Sequence, residues 1–147
     1  MLSEDTEESE TILRARSQGA CFVGGKDNPQ GLRRMFEQQD GGEAIATWTP
    51  SRALEGFRGI IHGGVVSTVL DEAMSKAVAA TGSLGVHRRA PSSFSTARTC
   101  SDKFLIRGWV VNENNRLSET EATLTAPDGT EYARAWARFL SVPKRSA

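Results

Sequence analysis

Between Gly63 and about Ala80 the apolar positions of this chain change their period. Val66, Val69, Leu70, Ala73, Met74, Ala77 and Val78 recur at helical spacing, and Thr81-Gly82 ends the run. The stripe is wide enough to predict a helix that is largely buried. Upstream the pattern is broken. Residues 21–32, CFVGGKDNPQGL, contain Gly24-Gly25, Asn28-Pro29 and Gly31 and predict a loop. Leu32 to Glu37 reads as a short strand. EAIATWT, after Gly41-Gly42, reads as a second, with Ala44, Ala46 and Trp48 on one face. Pro50 to Gly59 reads as loop.

The final third predicts a meander: KFLIRGWVV, a turn at Asn112-Glu113-Asn114-Asn115, RLSETEATLTA, a turn at Pro127-Asp128-Gly129, then EYARAWARFLSV. In the last strand Ala133, Ala135, Ala137 and Phe139 share a face, and Arg134, Trp136 and Arg138 share the other. Three small side chains in a row let a helix approach the sheet closely. One long helix with antiparallel strands predicts an α+β fold, the helix packed on a curved sheet. Residues 86–101, VHRRAPSSFSTARTCS, fit neither period. Pro91 interrupts them and serine and threonine dominate, so by pattern they are a loop, and a long one for a compact domain.

The chain has 147 residues, which predicts one domain with a sizeable core. Its 18 basic and 18 acidic side chains balance, so nothing implies a nucleic-acid partner. The opening MLSEDTEESE is acidic throughout, and residues 1–20 are expected to be a disordered or partly helical segment ahead of a single domain over 21–147. That opening has the character of neither a secretory signal nor a transit peptide. No apolar run reaches the length of a membrane span. Cys21 and Cys100 suggest neither a disulfide framework nor a zinc site. The expectation is a soluble, cytoplasmic protein.

Candidate chemistry lies where the helix begins, at GFRGIIHGGVVSTVLD. If the helix starts at His62-Gly63-Gly64, its first N–H groups lack intrahelical partners and carry the positive end of the helix dipole. Glycines there admit a ligand carbonyl close to the backbone, and such N–H groups stabilise an oxyanion during acyl transfer. Asp71 follows His62 by nine residues, about two and a half turns along the helix, on a face shared with Ser67 and Ser75. It is too far along to serve its own glycines. Two subunits could bring one Asp71 against the other's Gly63 and Gly64, which makes a composite homodimer site the natural hypothesis. Against this stands the plainer reading, a turn before a helix and a solvated aspartate.

GIIHGGVVSTVLDEAM resembles the signature of the hotdog-fold acyl-CoA thioesterases of the PaaI type, from His-Gly-Gly through the aspartate nine residues on to the Asp-Glu-Ala-Met. CFVGGKDNPQGL is similar to a loop in one branch of that family, which usually has a second cysteine where this chain has Gly24. The meander fits in length and order, so the resemblance covers most of residues 21–142. It implies a hotdog fold and the hydrolysis of acyl-CoA thioesters to a free acid and coenzyme A. It implies Asp71 as the catalytic carboxylate, either general base or nucleophile, and the Gly63 N–H, joined in the wider reading by that of Gly64, as the group that polarises the thioester carbonyl. His62 is expected to shape the turn. No metal or cofactor is implied, coenzyme A being part of the substrate. The partners implied are the acyl-CoA and further copies of the chain, as a homodimer or a dimer of dimers.

The chain departs from the family twice. Some members carry an asparagine six residues before the histidine, where this chain has Gly56. Related thioesterases also place a long central strand, of the form TAEL-x-V-R-F-x-R-P-V, where this chain has residues 86–101. In some relatives the threonine of that strand bonds within the active site, and here His87 or Arg88 stands near its place. We hypothesise a translated frameshift. With wobble bases free to choose, codons for residues 86–101 read from their second base give CTAELQVRFQRPVRAQ, and a compensating shift near Asp102 restores the frame. A nucleotide sequence whose shifted frame lacks TAEL and RPV sinks the idea. These departures favour a competing function, a non-catalytic or degenerate hotdog module that binds acyl-CoA. A hotdog hydratase carries little weight, because it pairs its histidine with a different motif. Tyr132, Arg134, Trp136 and Arg138 read as a solvated face or a coenzyme A contact, the solvated face being favoured, and Trp48 and Trp109 as structural.

Overall fold

The computed structural model describes residues 19, 21–34, 36–89, 92–94 and 102–142, and of 84–89, 92–94, 141 and 142 the backbone alone. The acidic opening, Arg98 and Cys100 therefore lie outside the described residues. The strands are β1 (Glu37–Gln39), β2 (Glu43–Trp48), β3 (Leu84–Arg89), β4 (Ser92–Phe94), β5 (Phe104–Asn114), β6 (Leu117–Thr125) and β7 (Glu131–Val142). The helix α1 spans Gly63–Ala80, and a 3-10 turn covers Arg52–Leu54. The strands form one antiparallel sheet in the order β1-β2-β5-β6-β7-β3, with β4 also on β7.

The helix lies on one face of that sheet. Its buried residues are Val66, Val69, Leu70, Ala73, Met74, Ala77 and Val78, the set that the sequence period picks out. Opposite them the sheet buries Ala44, Ala46 and Trp48 from β2, Phe104 and Ile106 from β5, Ala122 and Leu124 from β6, and Ala133, Ala135, Ala137 and Phe139 from β7. Alternation is clean in β2 and β7, as expected for a sheet with one covered face. The small residues let the backbones meet. A Cβ built on Gly108 of β5 would lie 2.9 Å from the Met74 nitrogen and closer still to the Ala73 carbonyl, so the helix crosses the sheet at that glycine. Gly108→Ala must push the helix off the sheet or distort β5. It is expected to destabilise the fold by about 1–3 kcal/mol, read as a lowered urea midpoint with the slope unchanged.

Several boundaries differ from the sequence pattern. Leu32–Glu37 is not a strand: Arg33 has φ 51°, and the Leu32 and Arg34 N–H groups donate to the Phe22 and Val23 carbonyls, tying this stretch to the preceding loop. Strand pairing begins at Glu37 instead. The segment from Pro50 to Gly59 holds the 3-10 turn and a bridge from Glu55 to Ile61. The 112–115 turn is tighter than its composition suggests. β5 runs on to Asn114 through a bulge between Val110 and Asn112, and Asn115 (φ 52°) takes the left-handed conformation that asparagine tolerates.

The largest difference concerns residues 86–101, read as loop. The structure pairs 84–89 and 92–94 with β7, through Val86↔Leu140, a register shift between His87 and Arg89, and Ser92↔Ala135 to Phe94↔Ala133. The edge of β7 offers a row of backbone partners that ladder bonds can use whatever the side chains, which is why pairing persists without alternation. In the single chain this element is an edge of the sheet and not a central strand. Arg89↔Arg138 and Ser92↔Ala135 keep one register, and residues 90 and 91 between them lie outside the described residues.

Candidate active site

The start of α1 is built by two devices. His62 occupies the N-cap, and its Nδ1 accepts a hydrogen bond from the Gly64 N–H at 2.9 Å. The His62 carbonyl accepts from Val65 and Val66 at 3.0 and 3.1 Å, the first bonds of the helix. The cap therefore uses the Gly64 donor and leaves that of Gly63 at an exposed position, where a Cβ would meet nothing within 4 Å. An imidazole that accepts at Nδ1 carries its proton at Nε2. His62 thus shapes the turn, as its sequence context suggests. Position 56 abuts this cap: a Cβ on Gly56 would sit 3.2 Å from the His62 Cα.

Asp71 lies about 12 Å further along the helix axis, so the structure does not bring it to the Gly63 of its own chain. Its side chain is half-buried, and Oδ1 is closed off from solvent. Ser67 and Ser75 flank it on the same half-buried helix face. The loop over 21–34 reaches the helix beside it, since a Cβ on Gly24 would lie 3.9 Å from the Glu72 Oε1. Glu72 is itself paired with Lys76 at 3.6 Å.

The far face of the sheet is polar but internally paired. Arg107 bonds Glu43 at 2.6 Å, Arg134 bonds Glu131 at 2.8 Å and Glu121 at 3.4 Å, and Arg138 reaches Glu119 at 3.4 Å. The Arg107 guanidinium holds the Glu43 carboxyl below its ordinary range. Arg107 and Arg134 flank the Trp109 ring, their guanidinium carbons 4.6 and 5.7 Å from its centroid, and Arg138 stands over Trp136. A cavity of about 300 Å³ opens there among Val111, Glu119, Thr120, Glu121, Trp136 and Arg138. Tyr132 does not belong to this face: it is half-buried, edge-on to Phe104 at 5.8 Å. Among the described residues no cluster of His, Cys, Asp or Glu could hold a metal ion, and no helix is long and apolar enough to cross a membrane.

The model of the thioesterase superfamily matches residues 58–133, which takes in the His62 cap, the whole of α1 and the meander up to β7. The chain belongs to the thioesterase superfamily. Solved thioesterases share its architecture. The PaaI protein of Escherichia coli superposes with a TM-score of 0.72 at 14% identity, covering 95% of this chain and 99% of that one. Zebrafish thioesterase superfamily member 2 gives 0.70 at 19% identity, covering 96% and 100%. A Streptococcus mutans protein solved with acetyl-CoA gives 0.71 at 21% identity, covering 77% and 91%. At these identities the likeness is one of fold, and the fold of this thioesterase-superfamily chain is the hotdog fold. Among curated proteins none matches it.

One prominent feature escapes the periodicity argument. Phe57 and Arg58 stand exposed at the tip of the turn before His62. The signal is the GFRG tetrapeptide, an aromatic and a cation held between two glycines.

Proposed function

We propose that this thioesterase-superfamily protein hydrolyses acyl-CoA thioesters to a carboxylic acid and coenzyme A, at sites shared between two copies of the chain. The observation that carries the reading is the Gly63 N–H, exposed at the mouth of a helix whose next donor is already taken by His62. That N–H, with the helix dipole behind it, stabilises the charge that builds on the thioester oxygen. Asp71 of the other copy supplies the carboxylate. As general base it removes a proton from water while the water oxygen attacks the carbonyl carbon; collapse breaks the carbon–sulfur bond and the thiolate leaves, taking up a proton. As nucleophile its oxygen bonds the carbonyl carbon while the carbon–sulfur bond breaks and the thiolate leaves, and water then opens the acyl anhydride by attack on the Asp71 carboxyl carbon. Single turnover in ¹⁸O-labelled water separates the routes, since the second places label in the Asp71 carboxylate.

Gly63→Pro tests the donor directly. Gly63 is the first helical residue, where proline is tolerated, and His62 at φ −56° and ψ 128° already has the conformation that a following proline requires. The substitution removes the N–H and little else. Free-thiol release is expected to fall about a hundredfold with the fold intact. Unchanged turnover overturns this assignment. A competing reading, acyl-CoA binding without turnover, draws support from Gly56 and from the non-alternating sequence of residues 86–101. Saturable binding by a folded wild-type chain that releases no thiol would establish it.

A further inference from the structure

The chain between the 3-10 turn and α1 is stitched into a small hairpin. Glu55 bridges Ile61, the Gly56 N–H donates to the Ile60 carbonyl at 2.9 Å, and the Ile60 N–H donates to the Phe57 carbonyl at 2.9 Å. The His62 N–H closes the base on the Leu54 carbonyl at 2.8 Å. Gly59, at φ 77°, turns the corner in a conformation that side chains rarely adopt. Ile61 roots the hairpin in the core.

The tip so held presents Phe57 and Arg58. Phe57 is 84% exposed, more than any other large apolar side chain among the described residues. Held in water by a bonded turn, the ring has both faces open for a ligand to stack on. Its neighbour is a guanidinium, for which no ion pair is recorded among the described residues, whereas the arginines of the sheet face are matched to glutamates. A ring for stacking beside a cation for phosphate is the chemistry that recognises a nucleotide diphosphate. The span fits as well. Arg58 stands five residues before Gly63, at most about 17 Å away and nearer for the turn at Gly59, within the reach of the pantetheine arm between a CoA thioester and its pyrophosphate.

We propose that Phe57 and Arg58 grip the nucleotide end of the substrate, the ring stacking on the adenine and the guanidinium pairing with phosphate. The inference rests on the thioesterase reading for the position of the reacting carbonyl. Both residues are positioning residues, since they touch substrate far from the bond that breaks.

The test compares an acyl-CoA with the N-acetylcysteamine thioester of the same acid, which lacks the nucleotide. Kinetics on the full chain are set beside calorimetric titration with free coenzyme A. Arg58→Ala is expected to raise KM for the acyl-CoA by about ten- to a hundredfold, at least tenfold more than it raises KM for the truncated thioester. Arg58→Lys should recover part of the loss, and Phe57→Ala should raise KM several-fold with the same selectivity. Equal losses on both thioesters, or none, overturn the grip. So does a Phe57→Ala chain that changes its oligomeric state with KM untouched, because a second copy would then be what covers the ring. If the wild type turns over neither thioester, the hydrolase reading falls and the titration decides alone. Weaker coenzyme A binding by Arg58→Ala upholds the grip, and equal or undetectable binding ends it.

Discussion

Asp71→Asn is expected to lower kcat for acyl-CoA hydrolysis by about a thousandfold or more, with KM little changed. Asparagine keeps the outline of the side chain and removes its charge and its basicity. Neither route survives that loss: the amide cannot take a proton from water, and it is a poor nucleophile. The melting temperature should hold, since asparagine fills the same half-buried space. A lowered melting temperature with proportionate loss of activity would instead give Asp71 a structural role. A site shared between two chains makes a second demand. Asp71→Asn and Gly63→Pro chains, each inactive, place both lesions in one site of a mixed dimer and leave its other site whole. Random re-association of the two should therefore recover roughly a quarter of the wild-type activity. Recovery of none would mean that each chain uses its own Asp71, or that the carboxylate acts elsewhere.

The helix was legible because burial on one side imposes a period that seven side chains obey without exception. The meander was legible for a related reason: β7 alternates between alanines against the helix and arginines in water. The boundaries were less so. Leu32 and Phe36 are apolar and pack on the core, yet the Leu32 and Arg34 N–H groups bond to the Phe22 and Val23 carbonyls, a tie that no local pattern encodes. Gly108 looked like an interruption in a strand, and its reason, a helix backbone on top of it, exists only after folding. At the site, His62-Gly63-Gly64 and Asp71 stood out by motif. The division of labour between the two glycines did not, since it turns on which N–H the imidazole reaches. The distance along one helix from Gly63 to Asp71 was calculable in advance, and it is what carries the argument for two chains.

The segment over 86–101 departs furthest from the family's pattern, and its replacement by CTAELQVRFQRPVRAQ has a sharp expected outcome. Positions 92 and 94 pair with Ala135 and Ala133, whose side chains face the helix. Paired residues of an antiparallel ladder share a face. If the ladder ran on, position 90 would meet Ala137. As written, positions 90 and 92 carry alanine and serine, with Pro91 between them in the sequence. The replacement makes the changes Ala90→Leu, Pro91→Gln and Ser92→Val and keeps Phe94, so three apolar side chains in strict alternation oppose three alanines. It also restores the backbone donor that Pro91 lacks. Two further apolar side chains taken out of water are worth roughly 3–5 kcal/mol, a rise in melting temperature of roughly 10 °C. The shift also brings His87→Thr, which returns the hydroxyl that related thioesterases carry in that strand, so thiol release should increase as well. Amide exchange should slow across residues 84–94 and along their partners on β7, where the present ladder shifts register between His87 and Arg89. A replaced chain that melts no higher, and exchanges no slower, would mean that VHRRAPSSFSTARTCS is the native edge of this sheet.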